Sequence, residues 1–369
     1  MCLKSRMVRT CGSKSRHHRK GISAQRLLRA VLEPESQHNV LMAERELTRP
    51  VRLTLADGRL NPDAIGWSRR PLVDTSGIGG RHSWGRNKRW EYWNVATPTH
   101  VLALTVSSID YAAVHEVWVL DRATERTWGR AATVLPSRGV ELSPSLDQGP
   151  ARARAKNLSI DIVAVGREVR LSAEIPGASF DVAVTRPEDH ECLAVVVPWS
   201  TQRFQYTVKD VALPASGFVA LDGETHELPT GESWAVLDHG RGRWPYDVHW
   251  NWGAGSGVSN GHTIGIQVGG RWTAGTGSTE NGLLVDGVLH KISDELLWRY
   301  DLSDWRRPWR ITGGGLDATF EPVFNKRSES NLGVISSRTD QCFGHWSGTF
   351  GEVGFDGIFG WAEDVHNRW

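Results

Sequence analysis

The chain has 369 residues, and its 43 Lys and Arg nearly balance its 42 Asp and Glu, which leaves a formal net charge of +1. This length allows one large domain or two ordinary ones, and 39% hydrophobic with 23% charged residues indicates a soluble globular protein rather than a disordered one. The balanced charge gives no reason to expect nucleic acid as a partner, and no run approaches the ~18 apolar residues of a membrane-spanning helix.

Tryptophan and glycine are unusually frequent, with 18 Trp against 5 Tyr and 9 Phe, and with 39 Gly. Tryptophan is large and rigid and carries one N–H donor, so this many residues indicate an aromatic-lined cavity or a thick β core. Abundant glycine favours strands, turns and bulges over helices. The composition therefore predicts an all-β protein.

The first 41 residues differ from the rest of the chain. Residues 1–40 contain nine Lys or Arg and two acids, and they include one helical pattern over residues 24–32 but no apolar stretch typical of a secretory signal. We expect a disordered basic extension outside the native fold, or a start of translation at Met42. The alternative is a tail that binds nucleic acid or a membrane surface. Without an export signal, the cytoplasm is the expected compartment.

From residue 44 onward, short segments alternate between apolar and polar residues, as strands of half-buried sheets do. Asp286 and Gly287 lie between two of these segments and predict a tight hairpin turn. Strands 8–15 residues apart are typical of an antiparallel barrel or sandwich. In chain order, the predicted strands are residues 51–55, 90–95, 100–106, 114–120, 158–163, 168–173, 180–184, 263–268, 282–285, 288–292, 316–320, 332–335, 344–350 and 357–361.

About fifteen such strands exceed what one small barrel uses, so we expect two packed antiparallel barrels. The segment 225–245 is rich in Pro and Gly and is the expected junction. This gives an N-terminal β domain over residues 42–231 and a C-terminal β domain over residues 232–369. No repeat of fixed period is visible, which argues against solenoids and propellers.

Motifs for cofactors and metals are missing from the sequence. It contains no Walker loop, nucleophile elbow or Cys-x-x-Cys, and the glycines of residues 253–257 lack the third glycine of a dinucleotide fingerprint. The 14 His are scattered, so their spacing indicates no metal site. We therefore expect no cofactor and no metal, and we expect Cys192 and Cys342 to be reduced and structural.

Three segments carry candidate site residues. In residues 84–93, strand alternation places Trp90 with Tyr92 on one face and Glu91 with Trp93 on the other. In residues 275–282, Glu280 and Asn281 stand where a polar loop meets a strand, which is a common position for site residues. For residues 84–93, the structural alternative is a solvated loop that leads into an aromatic core strand. For residues 275–282, it is an ordinary polar turn.

The third segment, residues 234–252, is the richest. Asp238 and His239 follow an apolar strand and precede a predicted tight glycine turn, while Trp250 and Trp252 share one side of the next strand. A carboxyl group beside a Trp-lined cavity has its pKa raised by desolvation and can act as a general acid near neutral pH, and indole faces can stabilise a cation. The structural alternative is that Asp238 caps the turn and the tryptophans fill the core.

From residue 44 to residue 369 the chain resembles a bacterial family known only as domain of unknown function 2804. The resemblance rests on residues 44–48, 66–71, 85–93, 250–252, 275–277, 279–281, 285–287, 290–291 and 360–363. The family name implies no activity. Because the resemblance begins just after Met42, it supports the view that the preceding residues lie outside the fold.

Residues 238–252 are similar to the signature of tocopherol cyclases, with an acid, a glycine, an aromatic-Pro pair and a Trp-x-Trp strand. Here these are Asp238, Gly242, Trp244-Pro245 and Trp250-Asn-Trp252. The Asp238-His239 pair also resembles a step in carotenoid 1,2-hydratases and related lipocalin-like proteins. These resemblances imply two calycin-type (lipocalin-like) β barrels and protonation of an isoprenoid alkene.

Two hypotheses of function follow, with a weaker third. In the first, the protein is a cofactor-free hydratase, cyclase or isomerase of an apolar, isoprenoid- or lipid-like small molecule; Asp238 donates the proton and Glu91 or Glu280 completes the acid–base pair. In the second, it is a non-catalytic carrier of a lipid or pigment. The third is a carbohydrate-active protein, since carboxylates and Trp platforms also suit sugars. The expected ligand-binding residues are Trp90, Trp93, His239, Trp244, Trp250, Trp252 and Asn281.

Overall fold

In the computed structural model, which describes residues 44–331 and 336–368, nearly all regular structure is β-strand. One short 3-10 helix, Pro62–Ala64, follows the N-cap residue Asn61. Within this part of the chain, no helix is long and apolar enough to cross a bilayer. The predicted basic extension over residues 1–41, its helical pattern and the predicted strand at residues 332–335 lie outside the described residues.

Strands β1 to β25 follow one another with short connections. The first sixteen are β1 (Val51–Arg52), β2 (Trp67–Ser68), β3 (Val73–Asp74), β4 (Asn87–Ala96), β5 (His100–Ser108), β6 (Ala113–Asp121), β7 (Thr127–Val134), β8 (Val140–Glu141), β9 (Ala151–Ala155), β10 (Leu158–Val165), β11 (Glu168–Ile175), β12 (Ala178–Thr185), β13 (Leu193–Pro198), β14 (Phe204–Leu221), β15 (Glu224–Leu228) and β16 (Trp234–Arg243). The others are β17 (Asp247–Ser259), β18 (His262–Gly270), β19 (Asn281–Val285), β20 (Val288–Ile292), β21 (Leu297–Arg299), β22 (Trp309–Gly313), β23 (Leu316–Asn331), β24 (Ser336–Phe350) and β25 (Val353–Arg368).

The first sheet has 14 antiparallel strands within the described residues. Its main order is β7-β6-β5-β4-β16-β14-β12-β11-β10-β9-β8, with β13 and β15 beside β14 and β2 beside β13. Strand β11 shows why these segments form strands: Val169, Leu171, Ala173 and Ile175 are buried and alternate with more exposed polar residues. A period of two places one apolar face against the core and the other toward water. A small parallel pair, β1 with β3, stands apart.

The second sheet has nine antiparallel strands in the same part of the chain, in the order β20-β19-β18-β17-β25-β24-β23-β22-β21. One of its faces contributes to a core that includes Trp309, Phe320 and Trp346. The predicted hairpin is confirmed: β19 and β20 are joined by Asp286 and Gly287, whose φ angles are +50° and +83°. Two positive φ angles fit the tight turn that matches strand twist.

The prediction of an all-β fold with two antiparallel sheets is confirmed, and each sheet is curled into a half-barrel. The change of sheet falls between β16, which is paired within the first sheet, and β17, which belongs to the second. The contacts within the chain group residues 42–369 as one unit. The division into domains at residue 232 stays a prediction.

An apolar layer separates the two sheets and holds most of the aromatic residues of interest. The face of β5 and β6 opposite the first core contributes Val101, Ala103 and Trp118, and the second sheet contributes Phe343 and Trp361, among others. Strands β14 and β16 pack against β17 and β18 across this layer. A polar group in this layer is therefore enclosed by side chains from both sheets.

Candidate functional site

Three carboxyl groups and one lysine lie together between the two sheets. Asp238 is on β16, Lys209 on β14, Glu280 just before β19 and Glu363 on β25, and we call these four residues the acid cluster. Lys209 Nζ lies 3.2 Å from Asp238 Oδ1 and 3.4 Å from Glu280 Oε2. All four side chains are buried. Two predicted acids, Asp238 and Glu280, are thus brought together with two residues that the sequence analysis missed.

Strand pairing explains how residues so distant in sequence meet. Lys209 is the cross-strand partner of Asp238 in the first sheet. In the second sheet, Trp252, Glu363 and Gln341 form one row across three neighbouring strands. Directly opposed residues on antiparallel strands share a face of the sheet, so each row presents its side chains together. The two rows face each other across the apolar layer.

The predicted tight glycine turn after Asp238 is wrong, because β16 continues without a break to Arg243. Gly240 and Gly242 are strand residues. A Cβ atom on Gly240 would lie 2.1 Å from Cζ2 of Trp90, so the glycine makes room for that indole rather than for a turn. The indole that lies over Gly240 also donates its N–H to Asp238 Oδ2 at 3.0 Å.

Another glycine makes room for the second acid of the cluster. A Cβ atom on Gly269 would lie 2.3 Å from both Cγ and Oε1 of Glu280. A methyl group there would have to displace the carboxyl group, because real Cβ atoms essentially never approach another atom so closely. The absence of a side chain at Gly269 therefore allows Glu280 to reach Lys209.

Each carboxyl group of the acid cluster accepts a hydrogen bond from a different indole N–H. The pairs are Trp90 with Asp238 and Trp250 with Glu363, both at 3.0 Å, and Trp272 with Glu280. Asp238 also accepts from Thr207 Oγ1 at 2.9 Å, and Glu363 from Gln341 Nε2 at 2.9 Å. The tryptophans thus combine an apolar wall with donors aimed at the acids, as indole rings can.

The wall around the cluster is a set of touching indole rings. Trp244 lies at its centre, with ring centroids 5.5–5.7 Å from four other tryptophans: Trp90, Trp199, Trp250 and Trp272. The ammonium group of Lys209 lies 3.7 Å from the ring centroid of Trp252, which is a cation–π distance. Trp90 and Trp250 are only half-buried, so the wall reaches solvent on that side.

The acid cluster has three carboxyl groups but one lysine, and this excess of acids affects which carboxyl group keeps its proton. Burial raises the pKa of Glu363 to about 7 in spite of its hydrogen bond from Trp250, and the charge of Asp238 adds to the rise. Burial also raises the pKa of Glu280, although Lys209 opposes it. Burial alone would lower the pKa of Lys209, but Asp238 and Glu280 outweigh it and raise the value. With a pKa of about 7, Glu363 can exchange a proton near neutral pH.

Glu91 and His239 lie on the opposite face of the first sheet and do not join the acid cluster. They face each other across β4 and β16, with His239 Nδ1 and Arg241 Nη2 each 3.6 Å from Glu91 Oε1. Burial, reinforced by Arg241, lowers the pKa of His239 to about 4, so its ring is neutral at pH 7. Of the two remaining candidates, Trp93 is in the first core. Asn281 follows Glu280, but its side chain bonds to the backbone, accepting from Gly269 N and donating to Asp294 O.

Two cavities of moderate size lie elsewhere in the protein. One, of about 180 Å³, is lined by Arg186, His190, Cys192 and Asp210, among others. The other, of about 340 Å³, has Phe343 and Phe359 among its walls. Neither is lined by a residue of the acid cluster. In the described residues, no group of three or more His, Cys, Asp or Glu is arranged to hold a metal ion.

Sequence reasoning missed Lys209 and Glu363 for different reasons. Lys209 has a weak signal, since it and Asp210 interrupt a long apolar strand. Glu363 ends one of the stretches on which the family resemblance rests, residues 360–363, but nothing in its neighbourhood marks it as an acid with a retained proton. Its pKa depends on burial and on Asp238, which is 125 positions away in the chain.

The family described as domain of unknown function DUF2804 matches residues 44–369, so the chain belongs to that family. A search of curated proteins found no match. Among solved structures, kievitone hydratase from Nectria haematococca is similar over 82% of this chain and 94% of its own, with a TM-score of 0.54 and 11% identity.

Two further solved structures share the fold. A Nitrosomonas europaea protein provisionally named AttH covers 80% of this chain and 96% of its own, with a TM-score of 0.50 and 11% identity. CghA in complex with Sch210972 is similar over 77% of this chain and 89% of its own, with a TM-score of 0.50 and 8% identity. At this level of identity the likeness is one of fold, and it confirms the lipocalin-like architecture.

Proposed function

We propose that this member of the DUF2804 family, with its lipocalin-like fold, is a cofactor-free hydratase, cyclase or isomerase that protonates an alkene of an apolar small molecule. The observation that carries the proposal is Glu363, a buried acid with a pKa of about 7 in an indole-walled layer beside the Lys209–Asp238 pair. An acid whose pKa lies near the working pH is well suited to give and regain a proton. The likeness in fold to a hydratase agrees with this chemistry.

In the proposed reaction, Glu363 gives its proton to one alkene carbon. The π electrons form the new C–H bond, and the neighbouring carbon becomes a cation. Water then adds in a hydratase, an oxygen of the same molecule adds in a cyclase, or an adjacent C–H proton leaves in an isomerase. In each case one proton is released and returns to the Glu363 carboxylate, so the enzyme is regenerated.

Asp238 has a different role in this proposal from the one expected at first. It accepts hydrogen bonds from Trp90 and Thr207 and pairs with Lys209, so every neighbour named here donates to it or attracts its charge. These contacts occupy both carboxyl oxygens of Asp238. We therefore assign proton donation to Glu363, and we assign to Asp238 and the indole faces the stabilisation of the developing cation.

Solvent deuterium provides a test that works before the natural substrate is identified. The purified protein is incubated in D₂O with a panel of apolar alkenes, from short prenyl alcohols to prenylated phenols, and the products are analysed by mass spectrometry. All three reaction types predict carbon-bound deuterium in the product. Glu363→Gln should lower the rate about 10²–10⁴-fold, as loss of a general acid does. Glu174→Gln, which changes an exposed acid on β11, is the matched control. Equal rates for Glu363→Gln and the control would refute the assignment.

A non-catalytic carrier of a lipid or pigment is the second candidate. The touching indole rings around Trp244 favour it, because such a wall binds an apolar ligand without any proton transfer. A carrier should lose little affinity with Asp238→Asn and much with Trp250→Ala. Native mass spectrometry of the protein with its co-purified ligand measures both effects. In an enzyme, Asp238→Asn should instead lower turnover strongly while ligand affinity stays nearly unchanged.

A further inference from the structure

The cavity of about 340 Å³ lies between the end of the first sheet and the second sheet, away from the acid cluster. The first sheet contributes the connection before β5 and the one after β6, and the second contributes β23, β24 and β25. This volume is within the range of pockets that bind small molecules. Its lining residues are Pro98, Thr99, Leu120, Arg122, Ala123, Glu125, Val323, Phe324, Phe343, His345 and Phe359.

Most of the cavity wall is apolar and aromatic. Phe324, Phe343 and Phe359 come from three neighbouring strands, and Leu120 faces them from the first sheet. Trp118 stacks on Phe343 at a centroid distance of 5.4 Å and supports it from behind. Val323 and Ala123 at the edge are exposed, so the cavity is open to solvent there. Such walls suit a flat or extended hydrocarbon body.

One end of the cavity is cationic. The guanidinium carbon of Arg122 lies 3.5 Å from the ring centroid of Phe359, and its Nη1 donates to Thr97 O. Among the described residues, no carboxylate lies within 4.0 Å of it. His345 lines the same end, and burial together with the charge of Arg122 lowers its pKa, so the imidazole is neutral.

The acid nearest to this end is already engaged. Glu125 lines the cavity, but its carboxylate pairs with Arg306 at 3.1 Å on the protein surface. Arg122 is therefore a half-buried cation at the end of an apolar cavity, with N–H groups left to bind an anion. A guanidinium fork recognises a carboxylate or a related planar anion well.

We propose that this cavity binds an amphipathic monoanion, with its anionic group on Arg122 and its apolar body against the three phenylalanines. The site is additional to the acid cluster and does not depend on the proposed reaction. The two share a wall, since Phe343 is two residues, roughly 7 Å, along β24 from Gln341, which donates to Glu363. The ligand class is a hydrocarbon or polyene with one carboxylate.

The experiment compares cis-parinaric acid with its methyl ester, by the fluorescence increase of the polyene on titration with the full chain. Binding of the acid with at least about tenfold higher affinity than the ester is expected, because a charge-assisted hydrogen bond is lost with the ester. Arg122→Gln should lower the affinity for the acid by a similar factor and leave the affinity for the ester unchanged. Arg122→Lys should retain most of the preference for the acid over the ester. Equal affinities for acid and ester would overturn the proposal.

A pair of tryptophan substitutions tests the location. Ala123→Trp fills the edge of the cavity and should abolish binding of both probes, whereas Ala131→Trp, on exposed β7 and outside the lining, should not. Circular dichroism and the melting temperature show whether each variant is folded. Unchanged binding by folded Ala123→Trp would overturn the proposal. Glu363→Gln should bind parinaric acid like the wild type, so a failure of the proposed reaction is distinguishable from a failure of this site.

Discussion

Replacing Glu363 with Gln should change how stability depends on pH. In the folded chain the pKa of Glu363 is about 7, and its ordinary value is 4.5. Between these two pH values the folded chain keeps a proton that the unfolded chain has released, so the free energy of unfolding falls as pH rises. The difference in pKa corresponds to about 3 kcal/mol lost between pH ~4.5 and ~7.

Glutamine resembles the protonated form of this side chain in size and charge, and it has no proton to release. Glu363→Gln and the wild type should therefore have similar stability near pH 4.5, and the variant should be more stable by about 3 kcal/mol above pH ~7. With an m-value of about 3 kcal/mol per M, the urea midpoints should separate by about 1 M. All other titrating groups are shared, so the difference between the two curves isolates this residue.

The assay is equilibrium urea unfolding, followed by tryptophan fluorescence, at closely spaced pH values across this window. A difference between wild type and variant that stays constant with pH would refute the reasoning, because it would mean that Glu363 has its ordinary pKa in the folded chain. A variant that loses stability relative to the wild type as pH rises would refute it too. A change in m-value would indicate an altered unfolded or folded state instead.

Two further substitutions test the packing and the charges of the cluster. Lys209→Met should lower the free energy of unfolding by about 3–5 kcal/mol, because it leaves buried carboxylates without their cation, and adding Asp238→Asn should restore part of the loss. Gly240→Ala should cost about 1–3 kcal/mol and alter the near-ultraviolet circular dichroism, because its Cβ would overlap Trp90. Gly354→Ala, whose nearest neighbour would be 3.9 Å away, is the control for the glycine change. Urea unfolding measures the changes in the free energy of unfolding. A Lys209→Met variant as stable as the wild type would contradict the charged state of the cluster.

Local patterns in the sequence were enough to predict much of the fold. The alternation in β10, β11 and β12 is visible in the sequence because one face of each strand is buried and the other is wet. The Asp286-Gly287 turn is equally local, since two positive φ angles in sequence favour these residue types. The same period of two also separates Trp90, which faces the acid cluster, from Glu91 and Trp93, which face the first core.

The glycines after Asp238 show where local reasoning fails. Two glycines separated by one arginine suggest a turn, but here they continue a strand. The reason is not local: the indole of Trp90 occupies the space that a side chain on Gly240 would fill, and Gln205 and the carbonyl of Phe204 do the same at Gly242. Gly240 and Gly242 therefore mark places where residues of other strands approach closely, and these residues are far away in the sequence.

The acid cluster could not have been assembled from spacing at all. Its four members come from strands or strand ends in both sheets, and they span from Lys209 to Glu363. Predicting it requires the register of β14 with β16 and of β17 with β25, and then the packing of one sheet on the other. Asp238 and Glu280 had clear local signals, Lys209 had a weak one, and Glu91 had a signal similar to theirs but faces the other way.

The number of carboxyl groups in the cluster is itself informative. One buried lysine needs one carboxylate to balance its charge, and Asp238 supplies it at 3.2 Å. Glu280 and Glu363 are additional acids in a buried site, and burial, with a smaller contribution from Asp238, raises the pKa of both. A cluster that served only to join the sheets would be more stable with amides or apolar side chains at these two positions. Buried acids with a raised pKa that accept hydrogen bonds from indoles suit proton transfer instead, which is why we propose that the cluster is a reaction site rather than a clamp.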